Sequence, residues 1–96
     1  MTVIRAAAVQ LSPVLYSREG TVERAIAKVE QLAGQGVQFA TFPETVVPYY
    51  PYFSFVQRPF EMRKEHLKLM DQAVTIPSPA VDAISAAARR LKRRVL

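Results

Sequence analysis

Two short apolar runs, separated by one amphipathic stretch and a glycine turn, restrict this chain more than any other feature. The first, Val3-Ile4-Arg5-Ala6-Ala7-Ala8-Val9-Gln10-Leu11, is interrupted only by Arg5 and Gln10. A run without alternation suits a strand buried on both faces, as in a parallel sheet. Its alanines alone would permit a helix, but the run is short and Ser12-Pro13 stops it. From about Arg18 to Ala33, Val22, Ala25, Ile26, Val29 and Leu32 or Ala33 recur at helical spacing, with Glu23, Arg24, Lys28 and Glu30 on the opposite side. Ser17 or Thr21 can cap this helix, and Glu19 suits its first turn. Gly34 and Gly36 are expected to supply the left-handed backbone that ends it. Val37-Gln38-Phe39-Ala40-Thr41-Phe42 is the second apolar run. Strand, helix and strand with short connections make a βαβ unit, with parallel strands and a right-handed crossover.

That unit has a chemical consequence. Parallel strands emerge on one edge of the sheet, and ligands of open α/β sheets bind at that edge. Gln10 lies at the carboxyl end of the first strand. The second must stop at Pro43, which cannot donate to a sheet ladder. Glu44 therefore stands just past the strand end, close to rigid backbone. Taken by itself, Glu44 reads first as a loop carboxylate near a strand end.

Pro43, Pro48 and Pro51 forbid a regular element over residues 43–57. Tyr49, Tyr50, Tyr52, Phe53 and Phe55 are many aromatics for an idle surface loop. Packing or an interface is the commoner use of such tyrosines, and a pocket wall is the alternative. A helix is expected from about Pro59 to Val74, with Phe60, Leu67, Met70 and Val74 on its apolar side and His66 facing solvent. Thr75-Ile76-Pro77-Ser78-Pro79 breaks the chain. Ser78 then caps a helix to about Arg90, with Val81, Ile84, Ala88 and Leu91 as its buried side. Val95-Leu96 reads as the beginning of a third strand. Two parallel strands and three helices leave edges and apolar faces uncovered, so residues 1–96 read as an incomplete domain.

Composition excludes several chemistries. With no cysteine and one histidine, these 96 residues hold no disulfide, zinc-thiolate site, cysteine nucleophile or multi-histidine metal site. No run approaches the roughly 18 apolar residues of a membrane span. There is no basic stretch leading into an apolar segment at the start, so cytoplasmic residence is the default expectation. Arg89, Arg90, Lys92, Arg93 and Arg94 account for the whole net charge of +5, because the other eight basic residues balance eight acidic ones. No aromatics interleave with these cations, which argues against nucleic-acid binding. Cations at a solvated helix end, suited to its dipole, are the plainer reading.

The first strand closing in Val9-Gln10-Leu11-Ser12-Pro13, the helix, the Gly36 turn and Phe42-Pro43-Glu44 resemble the start of the nitrilase, or carbon–nitrogen hydrolase, superfamily. The run Phe42 to Phe55, with Pro48-Tyr49-Tyr50-Pro51-Tyr52-Phe53, is more similar to the nitrilase branch than to the amidase branches. The resemblance covers residues 3–91. Phe-Pro-Glu alone would be weak, but it is specific in this setting. It implies an α/β fold that is the N-terminal part of a four-layer α-β-β-α sandwich, beginning with a parallel βαβ unit.

The resemblance also implies a catalytic set of glutamate, lysine and cysteine. Glu44 matches the glutamate, as the general base that takes a proton from the cysteine thiol and later from water. The cysteine attacks the nitrile carbon to form a thioimidate, and the lysine helps stabilise the tetrahedral intermediate. Tyr50 matches a tyrosine that contacts substrate. The implied parent needs no cofactor and no metal, takes a small nitrile (or cyanide), forms homo-oligomers, and engages neither nucleic acid nor membrane. Lysine and cysteine lie beyond the matched region, and Lys92-Arg93-Arg94 stands where a relative turns through glycine into a strand. Amidase or carbamoyl hydrolase activity is the alternative within the superfamily. An inactive truncated product acting only as an interaction element is the alternative outside enzymology.

Overall fold

The computed structural model describes residues 2–58 and 60–96, with Phe53 and Ser54 described by backbone alone. Three strands, β1 (Ala6–Ala8), β2 (Phe39–Thr41) and β3 (Arg94–Val95), form a parallel sheet in the order β1-β2-β3. Ala7 is opposite Ala40, and Ala40 is opposite Val95. Main-chain bonds extend the pairing past the strand ends, from Val9 N–H to the Thr41 carbonyl (2.8 Å) and from Phe42 N–H to the Leu96 carbonyl (2.8 Å). The third strand expected at Val95-Leu96 is thus present, and it begins one residue earlier.

The first strand departs from expectation. It was expected over Val3–Leu11 with both faces buried, but β1 is three residues long and mostly exposed, and Val3 and Ile4 lie open. The reason is topological: β1 is the edge strand, so the apolar run has a neighbour on one side only. The centre of the sheet is β2, where Ala40 is 4% exposed.

Helix α1 (Arg18–Gly34) starts as its sequence requires. Ser17 is the cap, and its Oγ accepts from Gly20 N–H at 3.0 Å. Thr21 has a different task. It is fully buried, and its Oγ1 accepts from Val14 N–H (3.0 Å) and donates to the Ser17 carbonyl (2.8 Å), which ties the β1–α1 connection to the first turn. Val22, Ala25 and Val29 bury the predicted stripe. Only Gly36 is left-handed (φ 79°), while Gly34 is the last helical residue, so the exit turn needs one glycine rather than two.

Helix α3 (Pro79–Leu91) packs against α1. Ser78 Oγ accepts from Val81 N–H at 3.3 Å, with Pro79 opening the helix as expected. Ala87 is buried, whereas Val81, Ile84, Ala88 and Leu91 are half-buried. The basic segment is largely the solvated helix end expected, with Arg89, Arg90, Lys92 and Arg94 exposed, but two of its cations also reach α1. Arg90 pairs with Glu30 of α1 at 2.6 Å, and Arg93 Nη2 donates to the Ala33 carbonyl at 3.2 Å, placing a cation at the carboxyl end of α1.

Helix α2 (Arg63–Asp71) is shorter than the expected Pro59–Val74 and presents another face. The expected start at Pro59 lies outside the described residues. Leu69 is 6% exposed, while Phe60, Leu67 and Met70 point outward and His66 is half-buried rather than solvent-facing. The cause is a tether between chain segments. Arg18 N–H donates to Gln72 Oε1 (2.8 Å) and Arg18 Nη1 to the Ala73 carbonyl (3.0 Å), so the end of α2 is pinned to the start of α1 and its rotation is set there. Among the described residues, no helix is long and apolar enough to cross a membrane.

Candidate functional site

Because β1 and β2 run parallel, their carboxyl ends lie side by side, and the chain beyond each end bounds one open hollow of about 480 Å³. Gln10, Leu11, Ser12 and Pro13 line it from the first strand, and Pro43, Glu44 and Val46 from the second. Tyr49, Tyr50 and Tyr52 form the third wall. Glu44, Tyr50 and Gln10 therefore share a site, as the strand argument required of Gln10 and Glu44.

Glu44 is held by a tight turn. Phe42 is the last residue paired to β3, and Pro43 has no N–H with which to continue. The Pro43 carbonyl accepts from Val46 N–H at 3.3 Å, making Glu44 and Thr45 the central residues of a four-residue turn. Thr45 has φ 48°, a left-handed value at the position where a type II turn usually has glycine. For a β-branched residue that conformation costs about 1–2 kcal/mol. Glu44 itself is exposed, and among the described residues the ion pairs are Arg18–Glu19 and Arg90–Glu30, so its carboxylate meets no cation there.

The tyrosine wall is built by ring contacts. Tyr52 is central, with its ring 4.9 Å from Tyr50 and 5.7 Å from Tyr49, the latter edge-on. Tyr50 also stacks on Phe55 at 6.1 Å with 14° between planes. These rings thus pack on one another and border the hollow at once, and the two readings of the loop are not exclusive.

Lys64, His66 and Lys68 do not line this hollow. Lys68 Nζ lies 5.1 Å over the Tyr16 ring instead. Among the described residues, no three His, Cys, Asp or Glu side chains gather as metal ligands would. Sequence reasoning missed Ser12 and Pro13, which it took only as a strand stop, and Thr45. The available signal for the first two was that they follow Gln10 along the same edge. Thr45 carried no local signal, because threonine rarely adopts positive φ.

A second, apolar hollow of about 540 Å³ lies between the helices and the sheet, bordered by Ile26, Val29, Val81, Ile84, Val95 and Leu96 among others. It explains why the apolar side of α3 is only half-buried.

The carbon–nitrogen hydrolase family model matches residues 5–95, the whole sheet and all three helices. The chain belongs to the carbon–nitrogen hydrolase family. A protein named Nitrilase 3, from an unknown prokaryotic organism, is 66% identical over 92 residues, covering 94% of this chain and 28% of that protein. A nitrilase from Paraburkholderia phymatum is 50% identical over 88 residues, or 92% of this chain and 26% of its own length. An aliphatic nitrilase of Rhodococcus rhodochrous is 33% identical over 86 residues, or 88% of this chain and 24% of that enzyme. The chain thus spans about a quarter of the length of these curated relatives. In each case the likeness is to nitrilases.

Proposed function

We propose that this chain is the N-terminal portion of a nitrilase-type hydrolase with a four-layer α-β-β-α parent fold, and that Glu44 is its general base. The parent converts a nitrile and two waters to a carboxylic acid and ammonia. Glu44 takes the proton of a cysteine thiol supplied by residues outside these 96, and the thiolate adds to the nitrile carbon to give a thioimidate. Water adds next, ammonia leaves, and a second water, again deprotonated by Glu44, releases the acid and the free thiol. A thiol needs such an adjacent base to react at neutral pH. A lysine, also from outside these residues, stabilises the tetrahedral species, and Tyr50 borders the substrate.

The observation that carries this reading is the placement of Glu44 at the tip of a turn, inside a hollow at the carboxyl edge of a parallel sheet. The chain has no cysteine, so by itself it is expected to hydrolyse no nitrile.

The test is a chimera in which residues 5–95 replace the matching segment of the 66%-identical Nitrilase 3. It should release ammonia from nitriles, and Glu44→Gln should lower kcat about 10²–10⁴-fold, the usual worth of a positioned general base. Turnover that survives Glu44→Gln would sink the assignment. Faster turnover of the corresponding amide than of the nitrile would point to the amidase alternative.

A further inference from the structure

We propose that the substrate is a nitrile carrying an uncharged aryl group, and that Tyr52 is the side chain that selects it. The inference rests on Glu44 being the base, and names the substrate class of that same site. Pro43 and Val46 border both hollows, whereas Glu44 and the three tyrosines border only the one at the sheet edge. A molecule seated there therefore meets the carboxylate and the ring wall together. Charge narrows the class first. Among the described residues, Glu44 is the one charged side chain bordering this hollow, and the remaining walls are apolar (Leu11, Pro13, Pro43, Val46) or uncharged (Gln10, Ser12). A second carboxylate, on the substrate, would face Glu44 with no cation from this part of the chain to offset the repulsion.

The rings narrow it further. Tyr49 and Tyr50 are half-buried, but Tyr52 keeps 56% of its surface open while bordering the hollow. It is nonetheless held in place. Its N–H donates to the Tyr50 carbonyl at 2.7 Å, Tyr49 meets its ring at 70° between planes, and Tyr50 and Phe55 lie tilted to it at 47° and 49°. Tyr50, by contrast, has a face taken up by stacking on Phe55. Tyr52 is thus a fixed ring with aromatic surface left to offer. Aromatic rings attract one another in offset or edge-to-face geometry through their quadrupoles, and a saturated group of the same size lacks that attraction. Tyr52 can therefore tell an aryl substituent from an alkyl one.

The test uses the Nitrilase 3 chimera and two substrates of similar size, phenylacetonitrile and cyclohexylacetonitrile. The methylene of each insulates the nitrile from the ring, and comparing the ratio of kcat/KM values between variants cancels what reactivity difference is left. Tyr52→Leu should lower the phenyl-to-cyclohexyl ratio about three- to tenfold, as loss of one aromatic pair does. Tyr52→Phe, which keeps the ring, should hold the ratio within about twofold. An unchanged ratio in Tyr52→Leu, or a ratio in Tyr52→Phe that falls as far as in the leucine variant, overturns the proposal. Should Tyr52→Leu give no folded enzyme, the unsubstituted chimera decides. Toluene should then inhibit its turnover of propionitrile about threefold or more tightly than methylcyclohexane, and equal inhibition overturns the proposal. A para-carboxylate on phenylacetonitrile should lower kcat/KM about tenfold, and a gain would overturn the uncharged class. Glu44→Gln should stop turnover of all these nitriles. If it does and the ratio ignores residue 52, aryl selection alone fails. If Glu44→Gln stays active, the assignment of the base fails, and this proposal with it.

Discussion

The sheet with α1 and α3 and the segment from Pro43 to Ser78 are built on different principles. In the first, main-chain bonds and side-chain caps surround a small core of Val22, Ala25, Val29, Ala40 and Ala87, although Val3, Ile4 and Leu96 stay open. Ser17 and Ser78 cap their helices, Thr21 is fully buried with its hydroxyl satisfied, and Ala40 and Ala87 leave almost no exposed surface. In the second, α2 is nine residues long with Leu69 its one buried side chain, and Tyr52, Phe55, Phe60 and Met70 stay open. The packed half fixes where the strands end. The open half starts at those ends and carries the candidate base and the tyrosine wall. A rigid scaffold bearing a less constrained functional segment is a general division of labour, because a carboxylate or ring offered to a ligand cannot also be buried in a core.

That contrast can be broken most sharply at α2. Leu69→Ala should destabilise the chain by about 2–5 kcal/mol, while Met70→Ala, one residue on and exposed, should change stability by no more than about 0.5 kcal/mol. Urea midpoints of the two variants check this. Equal effects would mean that α2 has no fixed face and that the Arg18–Gln72 tether does not set its rotation.

A smaller effect tests the packed half. A Cβ added at Gly20 would sit 2.9 Å from Ser17 Oγ and 3.1 Å from Val14 Cβ, whereas at Gly34 it meets nothing within 4 Å. Gly20→Ala should therefore destabilise by about 1–3 kcal/mol despite alanine's helix preference. Gly34→Ala should be neutral or stabilise by up to about 1 kcal/mol. Thermal melts of the pair would separate close packing from propensity. If both gain stability, the capped start of α1 is looser than the Ser17 geometry indicates.

The smallest effect concerns pH. Glu19, in the first turn of α1, has its carboxyl held below the usual value of 4.5, first by its backbone hydrogen bond and then by the Arg18 side chain. A group with a lowered folded-state pKa stabilises above its unfolded value and loses that contribution as pH falls through the folded one. The wild-type chain should therefore lose slightly more stability than Glu19→Gln on acidification from pH 5 to about pH 3. The margin is small because Glu19 is solvent-exposed. Parallel acid-dependent slopes would remove Glu19 from the stability of the α1 start.

Part of the site was legible in advance, and the reason is local. Pro43 must end a strand wherever it occurs in one, and Gln10 and Glu44 follow two apolar runs that a single helix connects. Their meeting on one edge follows from parallel pairing, which the short connections impose. The Phe-Pro-Glu setting and the tyrosine-proline loop also pointed to carbon–nitrogen hydrolases, and the family match over residues 5–95 bears that out. The left-handed Thr45 was not legible, because it opposes the residue's own preference and persists only through its surroundings.

By itself the sequence determined the starts of α1 and α3, through serines placed to accept the first free N–H groups, the glycine turn at residue 36, and the order strand, helix, strand. These depend on interactions within a few residues. The tertiary structure alone decided how little of Val3–Leu11 is strand, which face of α2 is buried, where Arg90 and Arg93 direct their charge, and which side of the turn Glu44 occupies. Each of these depends on partners distant in the chain: an edge position in the sheet, the tether from Arg18 to Gln72, the carboxyl end of α1, and the two hollows that meet at Pro43 and Val46. Local pattern specifies which element forms, but the side of it that faces inward is settled by what packs against it.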